Sequence, residues 1–194
     1  MNTLSLFRAD LLLEKNAATE QQHLDLFEQI LKNKKQNLGV VDNSNLGCWR
    51  STARYKNIDW LTDKIKAMLL NFDRTYQEEF QNKNLDPTKI QYSYWTNINS
   101  TGSRNTQHAH PKAHFSAVYY LQGTGTGPIR LINPGNTLGY ASPLSPFVDD
   151  ILYSPNDRDL IMWPGWVPHE VETNMSSRDR INVVFDIVLS QKRN

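Results

Sequence analysis

The apolar positions of this chain follow two different periods. Thr19 to about Lys35 opens with Thr19-Glu-Gln-Gln22, a capping-box arrangement, and sets Leu24, Phe27, Ile30 and Leu31 on one helical face. From about Asp59 to Phe80, Leu61, Ile65, Met68, Leu69, Phe72, Tyr76 and Phe80 recur at three- and four-residue steps. That stripe predicts an amphipathic helix laid on a sheet. Near residue 85 the pattern changes. Short β-rich runs follow at Ile90–Ile98, Phe115–Leu121, Pro128–Ile132, Asp159–Trp163, His169–Thr173 and Arg180–Leu189. Eight of the nine prolines and seven of the nine glycines fall between residues 95 and 170, where they punctuate these runs.

Short strands at regular spacing with turn residues between them predict an antiparallel sandwich or barrel. Helices first and strands afterwards make the class α+β, mainly β, with the N-terminal helices packed on one sheet. The chain has 194 residues, no internal repeat and no linker-like tract, so it is read as one domain. Within it, residues 1–85 form a helical support region and 86–190 the β core. The stretch from Gly135 to Asn156 is rich in turn formers and is expected to be a long loop at the barrel mouth.

The last strand carries the clearest pattern. Ile181, Val183, Phe185, Ile187 and Leu189 make one apolar face, and Arg180, Asn182, Val184 and Asp186 take the other. In a closed barrel the apolar face would pack on the helices and the polar face would look inward.

Composition narrows the chemistry. The 21 basic and 20 acidic residues nearly cancel, so no global field recruits nucleic acid or an anionic membrane. One cysteine, Cys48, rules out a disulfide framework and a cysteine-rich zinc module. The N-terminus lacks the basic flank and apolar run of a signal peptide, and no apolar stretch approaches the roughly 20 residues needed to span a bilayer. The expectation is a cytoplasmic protein, monomer or homodimer, with no nucleic-acid or membrane partner.

Three of the five histidines cluster in Gln107-His108-Ala-His110-Pro-Lys-Ala-His114, and His169 follows Trp163-Pro-Gly-Trp166-Val-Pro168. Residues two apart on a strand point to the same face, about 7 Å apart at the backbone. His108 and His110 can therefore converge on one ion, with His169 the candidate third ligand. Three protein ligands with open positions describe a catalytic rather than a structural site. Surface or hydrogen-bonded roles are expected for His114 and His23. Arg180 lies eleven residues beyond His169, enough for a strand, a turn and a return, and its guanidinium suits bidentate capture of a carboxylate.

A histidine pair on one strand, a distal histidine and an arginine about eleven residues later resemble the iron(II)- and 2-oxoglutarate-dependent oxygenases. The resemblance extends through Trp95-x-Asn97, Gly102, His108-x-His110-Pro111, Ser116-Ala-Val-Tyr-Tyr-Leu121, Asp159-Leu-Ile-Met-Trp-Pro164, His169-x-Val171 and Arg180-Ile-Asn-Val-Val-Phe-Asp186. In that order the motifs are similar to a small subgroup of 2-oxoglutarate/Fe(II) oxygenase sequences from bacteria and bacteriophages. Leu4-Ser-Leu-Phe7 looks like that group's first strand. The resemblance implies a double-stranded β-helix, a jelly roll of cupin type. It also implies Fe(II) held by His108, His169 and a third ligand, His110, with 2-oxoglutarate and O2 as cosubstrates. Arg180 would meet the far carboxylate of 2-oxoglutarate, with Asn182 beside it where relatives use serine. Asn97 has the spacing of an Asn-x-Tyr lead-in, although Asn99 replaces the tyrosine.

His110 stands where most members carry Asp or Glu. Three-histidine iron sites occur in other β-barrel dioxygenases, so two further readings stay open. One is a cupin-type dioxygenase, acting for example on thiols, that does not use 2-oxoglutarate. The other is a binding module with a vestigial site. On the first reading the substrate, a protein or a small molecule, is hydroxylated with release of succinate and CO2. Trp95, Tyr140, Trp163 and Trp166 are candidates to flank it at the barrel mouth.

Overall fold

The computed structural model describes residues 9–36, 39–40, 44–134 and 150–192. Leu4–Phe7, most of the expected long loop and Tyr140 lie outside them.

Three helices precede the main strands. The first, α1 (Glu20–Gln36), starts at the capping box: the amide of Gln22 donates to Thr19 Oγ1 at 3.2 Å, and the amide of Thr19 donates to Gln22 Oε1 at 2.9 Å. Its buried residues are Leu26 and Ile30, with Phe27 and Leu31 partly covered. Leu24, expected on that face, is exposed, because the contact stripe is rotated toward Leu26. The second apolar stripe is two helices rather than one, α2 (Asp59–Leu70) and α3 (Arg74–Asn82). Asp73 breaks it. Its carboxylate accepts from the amides of Thr75 and Tyr76, which starts a new helix three residues after the old one stops. Phe72, in the break, stays in the core and packs on Phe115 and Tyr76.

The strands are β1 (Leu12–Glu14), β2 (Asn45–Ser51), β3 (Leu85–His108), β4 (Phe115–Gln122), β5 (Ile129–Leu131), β6 (Ile151–Tyr153), β7 (Leu160–Pro164), β8 (His169–Val171) and β9 (Arg180–Gln191). Their order is β1-β7-β4-β9-β3-β8-β5-β6, with β2 also on β3, and every pairing is antiparallel. β3 joins the two layers. Its first part pairs with β9 as far as Asn99↔Arg180, and its last residues pair with β8 at Asn105↔Val171 and His108↔His169. The strand turns between these partners at Gly102, whose φ of 85° a side chain would resist. Asn174 ties the corner down: its carbonyl accepts from Gly102 N, its amide donates to Ser103 O, and its side chain donates to Asn99 O.

β9 carries out the division its alternation predicts. Ile181, Val183, Phe185, Ile187 and Leu189 join Leu26, Ile30, Leu61, Ile65 and Leu69 in one core between helices and sheet. Each such side chain contributes roughly 1.5–3 kcal/mol by leaving water. The opposite face looks into the curl. There Val184 packs with Val118, Tyr120, Ile129, Leu131, Ile161 and Trp163. The architecture is a curled, mainly β, antiparallel sheet backed by helices, as the sequence led us to expect. β1, β2 and β6 went unrecognised, and β6 lies inside the stretch expected to be wholly loop. No helix among the described residues is long and apolar enough to cross a membrane.

Candidate metal centre

The corner in β3 and the start of β8 bring three histidines together. One ring nitrogen from each of His108, His110 and His169 lies within 4.8 Å of the others. Nε2 of His110 is 3.3 Å from Nε2 of His169, and the ring centroids of His108 and His169 are 4.3 Å apart. The other nitrogen of each ring has a partner. Nδ1 of His108 donates to the carbonyl of Thr106 at 2.7 Å, and Nδ1 of His169 donates to that of Val167 at 3.1 Å. Nδ1 of His110 lies 2.9 Å from Oδ1 of Asp186. Holding Nδ1 in this way leaves Nε2 of each ring as the lone-pair nitrogen facing its neighbours.

Burial favours the protonation state a metal requires. His169 is 3% exposed, and desolvation, helped by the charges of His108 and His110, pushes its pKa down to about 3. Desolvation also lowers His108, against the carbonyl of Thr106, which favours the proton. Neutral imidazoles are what a divalent ion needs. Trp163 meets His169 edge-on at 4.9 Å, and Trp95 covers His110 at 5.8 Å.

His110 sits beyond the end of β3 and is placed by a close backbone approach. Its amide donates to Gly165 O at 2.8 Å, and Gly165 N donates to His114 O at 2.9 Å. A Cβ on Gly165 would lie 2.4 Å from Ala113 O and 2.9 Å from His110 O, so only glycine lets the two turns meet.

The histidines line a cavity of about 560 Å³. Asn97 and Asn182, paired across β3 and β9, share its wall with Tyr120. Oδ1 of each asparagine is buried and has no hydrogen-bond partner among the described residues. Arg180 lies two residues further along the same face of β9 and is completely buried. Its Nε donates to Thr126 Oγ1, and its Nη2 donates to the carbonyls of Thr126 and Glu172. Nη1 is the buried nitrogen left without a partner among the described residues. The guanidinium is thus half committed to the protein, and Arg180 lies behind the cavity wall rather than among the residues that line it.

Other expectations resolve as follows. His23 Nδ1 pairs with the hydroxyl of Tyr119 at 3.0 Å, and His114 Nδ1 accepts from Leu189 N at 3.0 Å, both structural contacts. Trp163 and Trp95 line the cavity, but Trp166 is exposed and does not. The three charged residues of the wall, Asp186, Arg50 and Arg54, carry no role in the sequence reading. Asp186 was placed on the inward face without one. Arg50 and Arg54 reach the cavity from β2 and the segment after it, over the rings of Trp95 and Tyr94 at 4.5 and 4.6 Å. The mixed polarity of β2 hid that strand.

Residues 93–186 match a family model described as "Putative 2OG-Fe(II) oxygenase". No curated protein sequence matches the chain. Among solved structures, a prolyl-4-hydroxylase from Pseudomonas putida is similar over 95% of this chain and 93% of its own, at 14% identity and a TM-score of 0.62. A prolyl hydroxylase from Trichoplax adhaerens, bound to a fragment of a hypoxia-inducible factor, gives 0.64 at 13% identity over 91% and 82%. The epimerase SnoN of nogalamycin biosynthesis, bound to Fe3+, α-ketoglutarate and nogalamycin RO, gives 0.65 at 8% identity over 92% and 78%. At such identities these likenesses speak for the fold. The matched segment, just under half of the chain, is thus similar to the 2OG-Fe(II) oxygenase family and lies inside a fold shared with 2-oxoglutarate-dependent enzymes.

Proposed function

We propose that this protein is an iron(II)- and 2-oxoglutarate-dependent dioxygenase that hydroxylates a protein or small-molecule substrate. The observation that carries the reading is three convergent imidazoles lining a polar cavity whose wall also holds buried polar atoms without partners among the described residues. The donor set fits a divalent first-row ion and leaves coordination positions open. The spare Nη1 of Arg180 fits one oxygen of a carboxylate, whereas the uncommitted Oδ1 atoms of Asn97 and Asn182 are acceptors and call for a donor. In this reading residues 1–194 act as one domain, with 1–85 buttressing the 86–190 core.

His108, His110 and His169 would hold the iron, His108 and His169 oriented by their Nδ1 hydrogen bonds and His110 standing beside Asp186. Arg180, pinned on Thr126 and Glu172, would fix the far carboxylate of 2-oxoglutarate, and Asn97 and Asn182 would line its shaft. Bound iron(II) with 2-oxoglutarate and O2 supplies the oxidising chemistry and releases succinate and CO2. Trp163, Trp95, Val184 and Ile129 form part of the apolar lining of the cavity. One solved relative is bound to a peptide and another to a small molecule, and a cavity of about 560 Å³ admits part of either.

Anaerobic titration of the Fe(II)-loaded protein with 2-oxoglutarate tests the reading through the visible charge-transfer band of the chelate. The band is expected in the wild type and absent in His108→Ala. In Arg180→Ala it should need about 10- to 100-fold more 2-oxoglutarate, the range for losing a charged hydrogen bond. Stoichiometric iron without a band would refute it. His110 in place of a carboxylate ligand favours a second reading in that event, a three-histidine dioxygenase independent of 2-oxoglutarate. Oxygen uptake with a small thiol and no keto acid would identify it. Failure to hold iron at all would leave the vestigial binding module.

A further inference from the structure

The three histidines are not held alike. His108 and His169 each donate Nδ1–H to a carbonyl two residues earlier in their own segment, so their orientation is a local backbone property. His110 has instead a side chain from another element, Asp186 on β9. β9 is paired on both sides at this point, with Ser93 of β3 and Ser116 of β4, which makes Asp186 a rigid reference for a histidine that lies beyond the end of its strand. Oδ1 of Asp186 is buried, and no described residue donates an aligned hydrogen bond to it. Nδ1 of His110 stands 2.9 Å from it, at ion-pair distance. Trp95 covers the His110 ring, which restricts its rotation away from the carboxylate.

Charge gives the contact a second meaning. Three imidazole ligands bring no negative charge to a divalent ion, whereas the Asp186 carboxylate stands at the back of His110. Arg50, on the same cavity wall, is the nearby cation that feels it. A metal-bound imidazole backed by a carboxylate is a stronger donor than one backed by a carbonyl.

We propose that Asp186 is the positioning residue of the metal centre, holding His110 with Nε2 toward the ion and supplying through that ring the negative charge a carboxylate ligand would bring. The proposal rests on the metal-centre reading but not on 2-oxoglutarate or on any substrate. It makes position 110 and position 186 one functional unit, a carboxylate moved from the ion to the ligand behind it.

The test is Co(II) binding to the metal-free protein, followed by calorimetry and by the visible ligand-field spectrum. Asp186→Asn keeps an acceptor oxygen and removes the charge, while Asp186→Ala removes both. Binding is expected to weaken about 10- to 100-fold, more in Asp186→Ala than in Asp186→Asn, with a shifted ligand-field band. In a His110→Ala background the same changes should alter affinity by no more than about twofold, because the residue through which Asp186 acts is gone. Thermal unfolding of each metal-free variant checks the fold, and the isosteric Asn variant decides if the Ala variant does not fold. Unchanged affinity and spectrum in Asp186→Asn, while His108→Ala abolishes binding, would overturn the proposal and leave the metal centre intact. An undiminished loss in the His110→Ala background would overturn it too. A wild type that binds no Co(II) would defeat the metal-centre reading itself, and this proposal with it.

Discussion

Acid should unfold the metal-free protein through His169 well before most carboxylates titrate. The side chain is 3% exposed, and burial, with the charges of His108 and His110, holds its pKa down to about 3 against 6.5 in the unfolded chain. Below about pH 6.5 the unfolded chain therefore binds a proton that the folded protein refuses. The stability tied to the neutral ring is complete above that value and is lost progressively as pH falls toward about 3. Each pH unit in this window removes about 1.4 kcal/mol, so moving from about pH 7 to about pH 5 removes about 2 kcal/mol through this residue alone. The assay is urea unfolding with a chelator present, at both pH values, for the wild type and His169→Gln. His108, His23 and His114 are also held down by burial and add to the wild-type loss, so the informative quantity is the difference between the two proteins. The wild type should lose about 2 kcal/mol more than His169→Gln over the same interval. Equal losses would show that His169 accepts its proton in the folded state, and the account of a ring kept neutral by burial would be wrong.

Three further outcomes follow from named contacts. Gly165→Ala should push the turn carrying His110, with its His110 and Ala113 carbonyls, away from position 165, destabilise the fold by about 1–3 kcal/mol and weaken Co(II) binding; unchanged metal affinity would show that the turn absorbs the methyl group without moving the ligand. Thr19→Ala should lower stability by about 1 kcal/mol in urea unfolding through loss of the α1 cap, while Co(II) affinity stays the same. Phe185→Ala, which empties a fully buried site between β9 and the helices, should lower stability by about 3–5 kcal/mol, and a loss under about 1 kcal/mol would contradict the packing described.

Elements with a strong period were legible in the sequence, and those without one were not. β9 could be read to the residue because its two faces meet different environments, a helix-covered core and a polar interior. α1 announced its start through two reciprocal hydrogen bonds between Thr19 and Gln22. The break between α2 and α3 was hidden because Phe72, Tyr76 and Phe80 continue the apolar stripe across it, while the signal that ends it is one capping aspartate. β1, β5, β6 and β8 have three residues each, too few to show a period of two, and only β5 and β8 stand directly after a proline that marks where the run starts. β2 alternates poorly because Gly47, at a φ of 76°, shifts its register against β3.

The histidines were legible for a different reason: their chemistry narrows the choices even where periodicity is silent. His108 and His110 could be paired from their spacing, but what distinguishes them could not. His108 ends a paired strand and leans on its own backbone, whereas His110 has left the sheet and depends on β9, more than seventy residues away. Asp186 was visible on the inward face of β9 and still had no reading, since alternation says which way a side chain points and not what it meets. The same limit applies to Arg180. Its type and distance from His169 suggested two arms for a carboxylate, and only the folded chain shows Thr126 and Glu172 already holding part of the guanidinium. That commitment orients the arginine before any ligand arrives, so Nη1, without a partner among the described residues, can be directional where a mobile side chain would not be. The residues that give this site its character are therefore the partners of the recognisable ones, and a long-range partner leaves no local trace in a sequence.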